Sequence, residues 1–244
     1  MVRNEKLVIF AFDFVFFINS SMKKIFVIVA VLTGLSALTA CQEGKNGKLA
    51  EGEFVIEGTL PAERYEGAWL YMVPMRGPEP KPVDSVAVAR DGSFRFRGNV
   101  EQVAVLRLDW HVRYGIQELL VVTEPGVTRV RLDSISSCVE GTPQNMLLQQ
   151  WKDHQQNFFA TRARIIKMKQ EGVSEDIWKA MQDTCAINQG EFIYNLLKSN
   201  GANTATRFIG TMLNGRIDST RRAELKELLV DTIDYTKPQP GFRK

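Results

Sequence analysis

At Thr142-Pro143 the hydrophobic period of this sequence changes, and that switch constrains the fold more than any other feature. Before it, from Glu53 to about Val139, apolar residues recur every second position in short segments bounded by turn residues. That is the pattern of half-buried strands. After it they recur at alternating spacings of four and three, which places them on one face of a helix. A strand-rich first half followed by a helical second half predicts an α+β protein.

The strand half, residues 53–141, reads as an antiparallel β-sandwich or sandwich-like barrel of about eight short strands. FVIEGTL at 54–60 alternates Phe54, Ile56 and Gly58 against Val55 and Glu57, and AWLYMV at 68–73 follows. In PMRGPEPKP, Pro74, Pro78, Pro80 and Pro82 argue against regular structure. VDSVAVARDGSFRFRG at 83–98 reads as a hairpin on an Asp91-Gly92 turn. That register sets Ala89 opposite Phe94 and Ala87 opposite Phe96, with Arg95 and Arg97 on the other face. VAVLRLDW, IQELLVV, VTRVRLD and SISSCVE complete the set, with Glu124-Pro125-Gly126 as a turn.

The helical region, residues 142–235, holds about four helices. Thr142 is the expected N-cap of the first, with proline at its first helical position. Its stripe is Leu147, Trp151, His154, Phe158, Thr161, Ile165 and Met168. Ser174 should cap a second helix with Trp178, Met181, Cys185, Phe192 and Leu196 on one face, stopped by Asn200-Gly201. Asn203 opens a short third with Phe208, Ile209, Met212 and Leu213, ended by Gly215. Asp218 or Ser219 opens a fourth with Leu225, Leu228, Leu229 and Ile233. Residues 236–244 read as a frayed tail.

The other end of the chain speaks of location. Lys23 and Lys24 precede a largely apolar run from Ile25 to Leu35, the length of a signal-peptide core rather than a membrane span. Leu38-Thr39-Ala40-Cys41 then resembles the lipobox of bacterial lipoproteins. The resemblance implies cleavage before Cys41 and lipid on that residue, with residues 22–40 the signal peptide and 41–52 a polar tether. An ordinary signal peptide or an N-terminal anchor is the competing reading. Residues 1–21 hold five of the fourteen phenylalanines and read as an upstream extension, with Met22 the expected start. A transmembrane helix over 7–18, interrupted by Asp13, is the weaker alternative.

Charge excludes one class of partner. Residues 1–40 carry four of the 31 basic and two of the 28 acidic side chains, so 27 and 26 remain, a net of about +1. Basic residues are scattered among acids, and nothing suggests a nucleic-acid footprint. Beyond Cys41 only Cys138 and Cys185 remain. Two separate buried thiols are favoured, and a disulfide is the alternative. No C-x-x-C, H-E-x-x-H, G-x-S-x-G or glycine-rich phosphate loop occurs. The two histidines, His111 and His154, are far apart in sequence, and His154 reads as a packed residue on its stripe rather than a ligand. Glu118 and Glu124 flank a strand and read as solvated surface. No catalytic or metal-binding residue and no cofactor is assigned.

FVIEGTL, AWLYMV, DSVAVARDGSFRFRG at 84–98, TEPG at 123–126 and GTPQN at 141–145 together resemble the N-terminal domain of unknown function that precedes the thioredoxin-like domain in TlpA-like and peroxiredoxin-like envelope lipoproteins of Gram-negative bacteria. The helices to Ile233 resemble the connector of those proteins. The sequence ends where their redox domain would begin and lacks its dithiol, so the resemblance transfers no catalytic residue. The expectation is a lipid-anchored envelope module, with the outer membrane favoured, that is not an enzyme and binds a ligand or protein. The alternative is an accessory or truncated component of a thiol-disulfide interchange system, partnered by a separate thioredoxin-like protein.

Overall fold

Eight strands form where the period-two segments lie. They are β1 (Phe54–Thr59), β2 (Trp69–Pro74), β3 (Asp84–Ala87), β4 (Ser93–Gly98), β5 (Val103–Arg107), β6 (Leu119–Val122), β7 (Gly126–Arg131) and β8 (Cys138–Glu140). The computed structural model describes residues 49–75, 81–109 and 115–226, all within the compact unit Leu49–Lys244. Two four-stranded sheets stack as a sandwich, with orders β4-β1-β7-β8 and β3-β2-β5-β6. Phe54, Ile56, Leu70, Met72, Phe96, Leu106, Leu119 and Val121 fill the space between them, each 1 % exposed or less. A short helix, α1 (Ala62–Tyr65), joins the sheets. It buries Tyr65, whose hydroxyl donates to the Gly115 carbonyl at 2.6 Å.

Three strand expectations are corrected. First, 83–98 is not a two-stranded hairpin. Ala87 pairs with Trp69 in one sheet, whereas Phe96 pairs with Ile56 in the other. The local turn bonds do form: Ala89 N–H donates to the Ser93 carbonyl and Gly92 N–H to the Ala89 carbonyl, both at 2.9 Å. The chain nevertheless crosses between sheets here, because both sheets must close on one core and Val88, Phe94 and Phe96 all enter it. Gly92 makes the corner at φ +80°, and a β-carbon there would sit 2.1 Å from the Leu60 carbonyl oxygen. Arg95 and Arg97 do face outward. Second, the first sheet is not wholly antiparallel. β1 and β7 run parallel with Phe54 beside Gly126, which the long excursion through the other sheet makes possible. Third, Pro74 ends β2 opposite Ala104, where a strand tolerates a residue without an N–H.

The helical half begins as expected with α2 (Pro143–Gln170), followed by α3 (Glu175–Asn200), α4 (Thr204–Leu213), a 3₁₀ turn (Asn214–Arg216) and α5 (Ser219–Glu224). Asp218 caps α5 through Oδ1, which accepts from Thr220 and Arg221 N–H at 3.1 and 3.0 Å. Asn203 caps α4 by accepting from Thr206 N–H at 2.9 Å. Gly201 ends α3 at φ +63°. Thr142 and Ser174 stand at N-cap positions but give no side-chain cap bond. Leu228, Leu229 and Ile233 lie outside the described residues.

A second core forms on the outer face of the β3-β2-β5-β6 sheet. Val103 and Val122 pack there with Leu147, Leu148, Ile193, Leu197, Ala205 and Ile209. β5 and β6 are thus covered on both faces, which is why VAVL and LLVV are continuous apolar runs. Beyond this core α2 and α3 continue as an antiparallel hairpin, and on it the sequence stripe is half-buried from Trp151 to Met168, with Ile165 fully buried. Among the described residues no helix is long and apolar enough to cross a membrane.

Candidate functional site

The two lateral sides of the sandwich are treated differently by the chain. On the β6 and β8 side, α2 supplies side chains that finish the exposed strand edges. Asn145, fully buried, accepts from Val122 N–H at 2.9 Å and donates to the Val122 carbonyl at 2.7 Å. Its amide therefore pairs with β6 as a further strand would. Gln149 accepts from Val139 N–H of β8 at 2.9 Å, and the Lys152 ammonium donates to the Ser137 carbonyl. Burial pushes the Lys152 pKa down.

The same junction holds α2 by its N-terminus. Glu124 Oε1 accepts from Gln144 and Asn145 N–H at 2.7 and 3.1 Å. A carboxylate from the strand side thus takes the orphan donors of the first turn and opposes the positive end of the helix dipole. Thr142, the residue expected to cap, instead turns its hydroxyl to Asn145 Nδ2 at 2.8 Å and Thr128 at 3.0 Å. The TEPG and GTPQN segments thereby meet in one polar clamp. No local signal announces it: the first turn of α2 carries no acidic residue, but neither do those of α4 and α5.

On the opposite side the edge strands are β3 and β4, one from each sheet. Between them opens a groove of about 670 Å³, within the roughly 300–1,000 Å³ typical of ligand sites. Its floor is Gly58, Phe94 and Val130, and Val86 and Ala87 of β3 form one wall. Glu57, Arg95 and Arg129 stand along it. Arg129 Nε is 3.8 Å from Glu57 Oε1. Arg95 makes no hydrogen bond or ion pair among the described residues, so the groove carries a surplus positive charge. The groove's serine, Ser93, donates to Asp91 Oδ1 at 2.6 Å in a local turn. Small side chains, two flanking strand edges and a guanidinium that makes no hydrogen bond or ion pair among the described residues suit the groove to holding an extended chain.

The residues singled out in the sequence scatter. Cys41 and His111 lie outside the described residues. His154 is packed as expected: its ring stacks on Phe192 at 3.6 Å and 3°, and Nε2 donates to Gln189 Oε1 at 2.8 Å. Burial there pushes its pKa down. Cys138 and Cys185 are separate free thiols, each half-buried rather than buried. Glu118 and Glu124 are not solvated surface. Glu118 pairs with Arg107 at 2.6 Å, both mostly buried, and Glu124 is 7 % exposed under α2. Their neighbours come from distant sequence, which a local reading does not see. Among the described residues no group of three His, Cys, Asp or Glu side chains gathers to hold a metal.

Residues 54–148 match the model of a family described as a domain of unknown function (DUF4369). The match runs from the first residue of β1 into the second turn of α2, so it takes in the sandwich and the whole Glu124–Asn145 clamp. No curated protein and no solved structure matches the chain.

Proposed function

We propose that this chain is a non-catalytic recognition module, held on the envelope membrane by lipid at Cys41, whose binding element is the groove between β3 and β4. The observation that carries the reading is the asymmetry of the sandwich: α2 caps the strand edges on one side, and on the other two edges frame a cationic groove. An extended segment of a partner protein adds along such an edge through main-chain hydrogen bonds. An acidic residue in that segment finds Arg95. The anchor rests on the Lys23-Lys24 start, the apolar run and Leu38-Thr39-Ala40-Cys41. The resemblance to the leading domain of TlpA-like lipoproteins suggests a separate thioredoxin-like protein as that partner, which would make this chain an accessory of thiol-disulfide interchange.

A photo-crosslinking residue placed at Ala87 or Ser93 in the full-length protein tests the groove. The expected product is a crosslink to an extended, acidic segment of a partner, lost when Arg95→Glu is added. Crosslinks arising only from helical positions such as Ile166 would refute the groove. Separately, Cys41→Ala should abolish lipid labelling and leave the precursor uncleaved, and normal labelling of that variant would refute the anchor.

A further inference from the structure

The helical hairpin holds a second cavity, of about 250 Å³, between α2 and α3 beside the 3₁₀ turn. Three cations reach it, Arg162, Lys169 and Arg216, and no carboxylate lines it. Sequence explains the excess: between Asp153 and Glu171 α2 carries Arg162, Arg164, Lys167 and Lys169 and not one acid. Glu171 is itself paired with Lys167 at 3.6 Å. Lys169 stands 3.7 Å over the Trp178 ring and donates to Gln182 at 3.1 Å, and Arg162 lies 5.8 Å over the Phe158 ring. These contacts fix the direction of two of the charges without neutralising them. Arg216 comes from a separate element, and Gly190 of α3 is what admits it. A β-carbon at Gly190 would lie 2.6 Å from the Arg216 carbonyl oxygen, so the turn can rest on α3 only because this mid-helix residue has no side chain.

The floor between the cations is apolar. Ile165 is buried and Phe158 half-buried, and Ile166 and Phe159 continue the apolar surface outward at 53 % and 59 % exposure. Guanidinium groups bind carboxylate and phosphate through parallel charge-assisted hydrogen bonds, whereas the floor rewards burial of hydrocarbon. Neither half of the cavity is satisfied by a simple ion or by a simple hydrocarbon. We infer that this cavity binds a small amphipathic anion, a phosphate or carboxylate carrying one short apolar chain or ring. The volume falls just below the roughly 300–1,000 Å³ of sites for larger ligands, which sets the size of the apolar part. This site is on the hairpin, and its occupancy does not depend on the β3–β4 groove.

The cavity contains its own reporter, because Cys185 lines it whereas Cys138 is on β8. The test is the rate of alkylation of each cysteine in the full-length protein by N-ethylmaleimide, resolved by peptide mass spectrometry. Saturating octyl phosphate should slow Cys185 by about fivefold or more, since access controls thiol reactivity, and leave Cys138 unchanged. Octanol and inorganic phosphate at the same concentration should protect far less. The pair Arg162→Gln and Arg216→Gln should weaken octyl phosphate binding, measured by calorimetry, about tenfold or more through loss of charge-assisted bonds. Gly190→Ala should also weaken it by displacing Arg216. Protection by octyl phosphate and also by phosphatidylglycerol vesicles would identify a lipid headgroup as the source, and protection by octyl phosphate alone a free ligand. The inference is overturned if octanol protects as well as octyl phosphate, if only vesicles protect, or if the arginine variants bind undiminished.

Discussion

Removing the Glu124 carboxylate tests the clamp on which the joint between sandwich and helices depends. Glu124→Ala strips the acceptor from two helix N–H groups at 2.7 and 3.1 Å in a site that is 7 % exposed. Each buried donor left unpaired costs about 1–3 kcal/mol, and loss of a helix cap alone costs about 0.5–2 kcal/mol. Some relief from water entering at the rim brings the expected loss to about 2–4 kcal/mol. Glu124→Gln keeps a neutral acceptor and forfeits mainly the interaction with the helix dipole, about 1 kcal/mol. Thr142→Ala removes a hydroxyl that bonds no helix N–H, and Asn145 Nδ2 keeps the Val122 carbonyl at 2.7 Å, so about 1 kcal/mol is expected there too. Urea denaturation followed by far-ultraviolet circular dichroism measures all three. In thermal melts Glu124→Ala should fall by about 4–16 °C at the 2–4 °C per kcal/mol typical of this size. The order is the decisive result. If Thr142→Ala is more damaging than Glu124→Ala, or Glu124→Ala loses less than about 0.5 kcal/mol, Glu124 is not the cap of this helix.

Two further outcomes follow from polar contacts. Asn145→Leu leaves the Val122 N–H and carbonyl without partners in the buried junction, which should cost about 2–4 kcal/mol and speed hydrogen exchange at the Val122 amide relative to the rest of β6. Glu53 is held down to about 2 from 4.5, first by its hydrogen bonds with the Arg97 guanidinium and then by Ala50 N–H. A lowered carboxylate pKa contributes stability that is complete above the unfolded value and is lost as pH falls through the folded one. Stability should therefore drop between about pH 4.5 and 2, and Glu53→Gln should flatten that part of the pH–melting curve. An unchanged curve would mean that the pair is open in solution.

The local code of this chain determined its elements. The short segments between turn residues became all eight strands, the Thr142-Pro143 switch became the start of α2, and the stripe from Leu147 to Met168 became the buried side of that helix. These follow from which neighbours a residue has two, three or four positions away, and that relation is written in the sequence. The apolar runs VAVL and LLVV even carried the signal that a second layer covers β5 and β6. What the sequence could not decide is which strand pairs with which. Asp91-Gly92 carries the chemistry of a hairpin turn, yet its flanking strands belong to different sheets, because closing both sheets on one core outweighs a local ladder. Glu124 and Asn145 are 21 residues apart, and only the docking of α2 makes one the cap and the other the edge of β6. The two cavities have the same origin. Arg95 joins Val86 across two sheets, and Arg162 meets Arg216 because Gly190 lets a turn lie against α3. Each depends on the placement of whole elements, which is set by shared burial of surface distant in sequence rather than by local propensity.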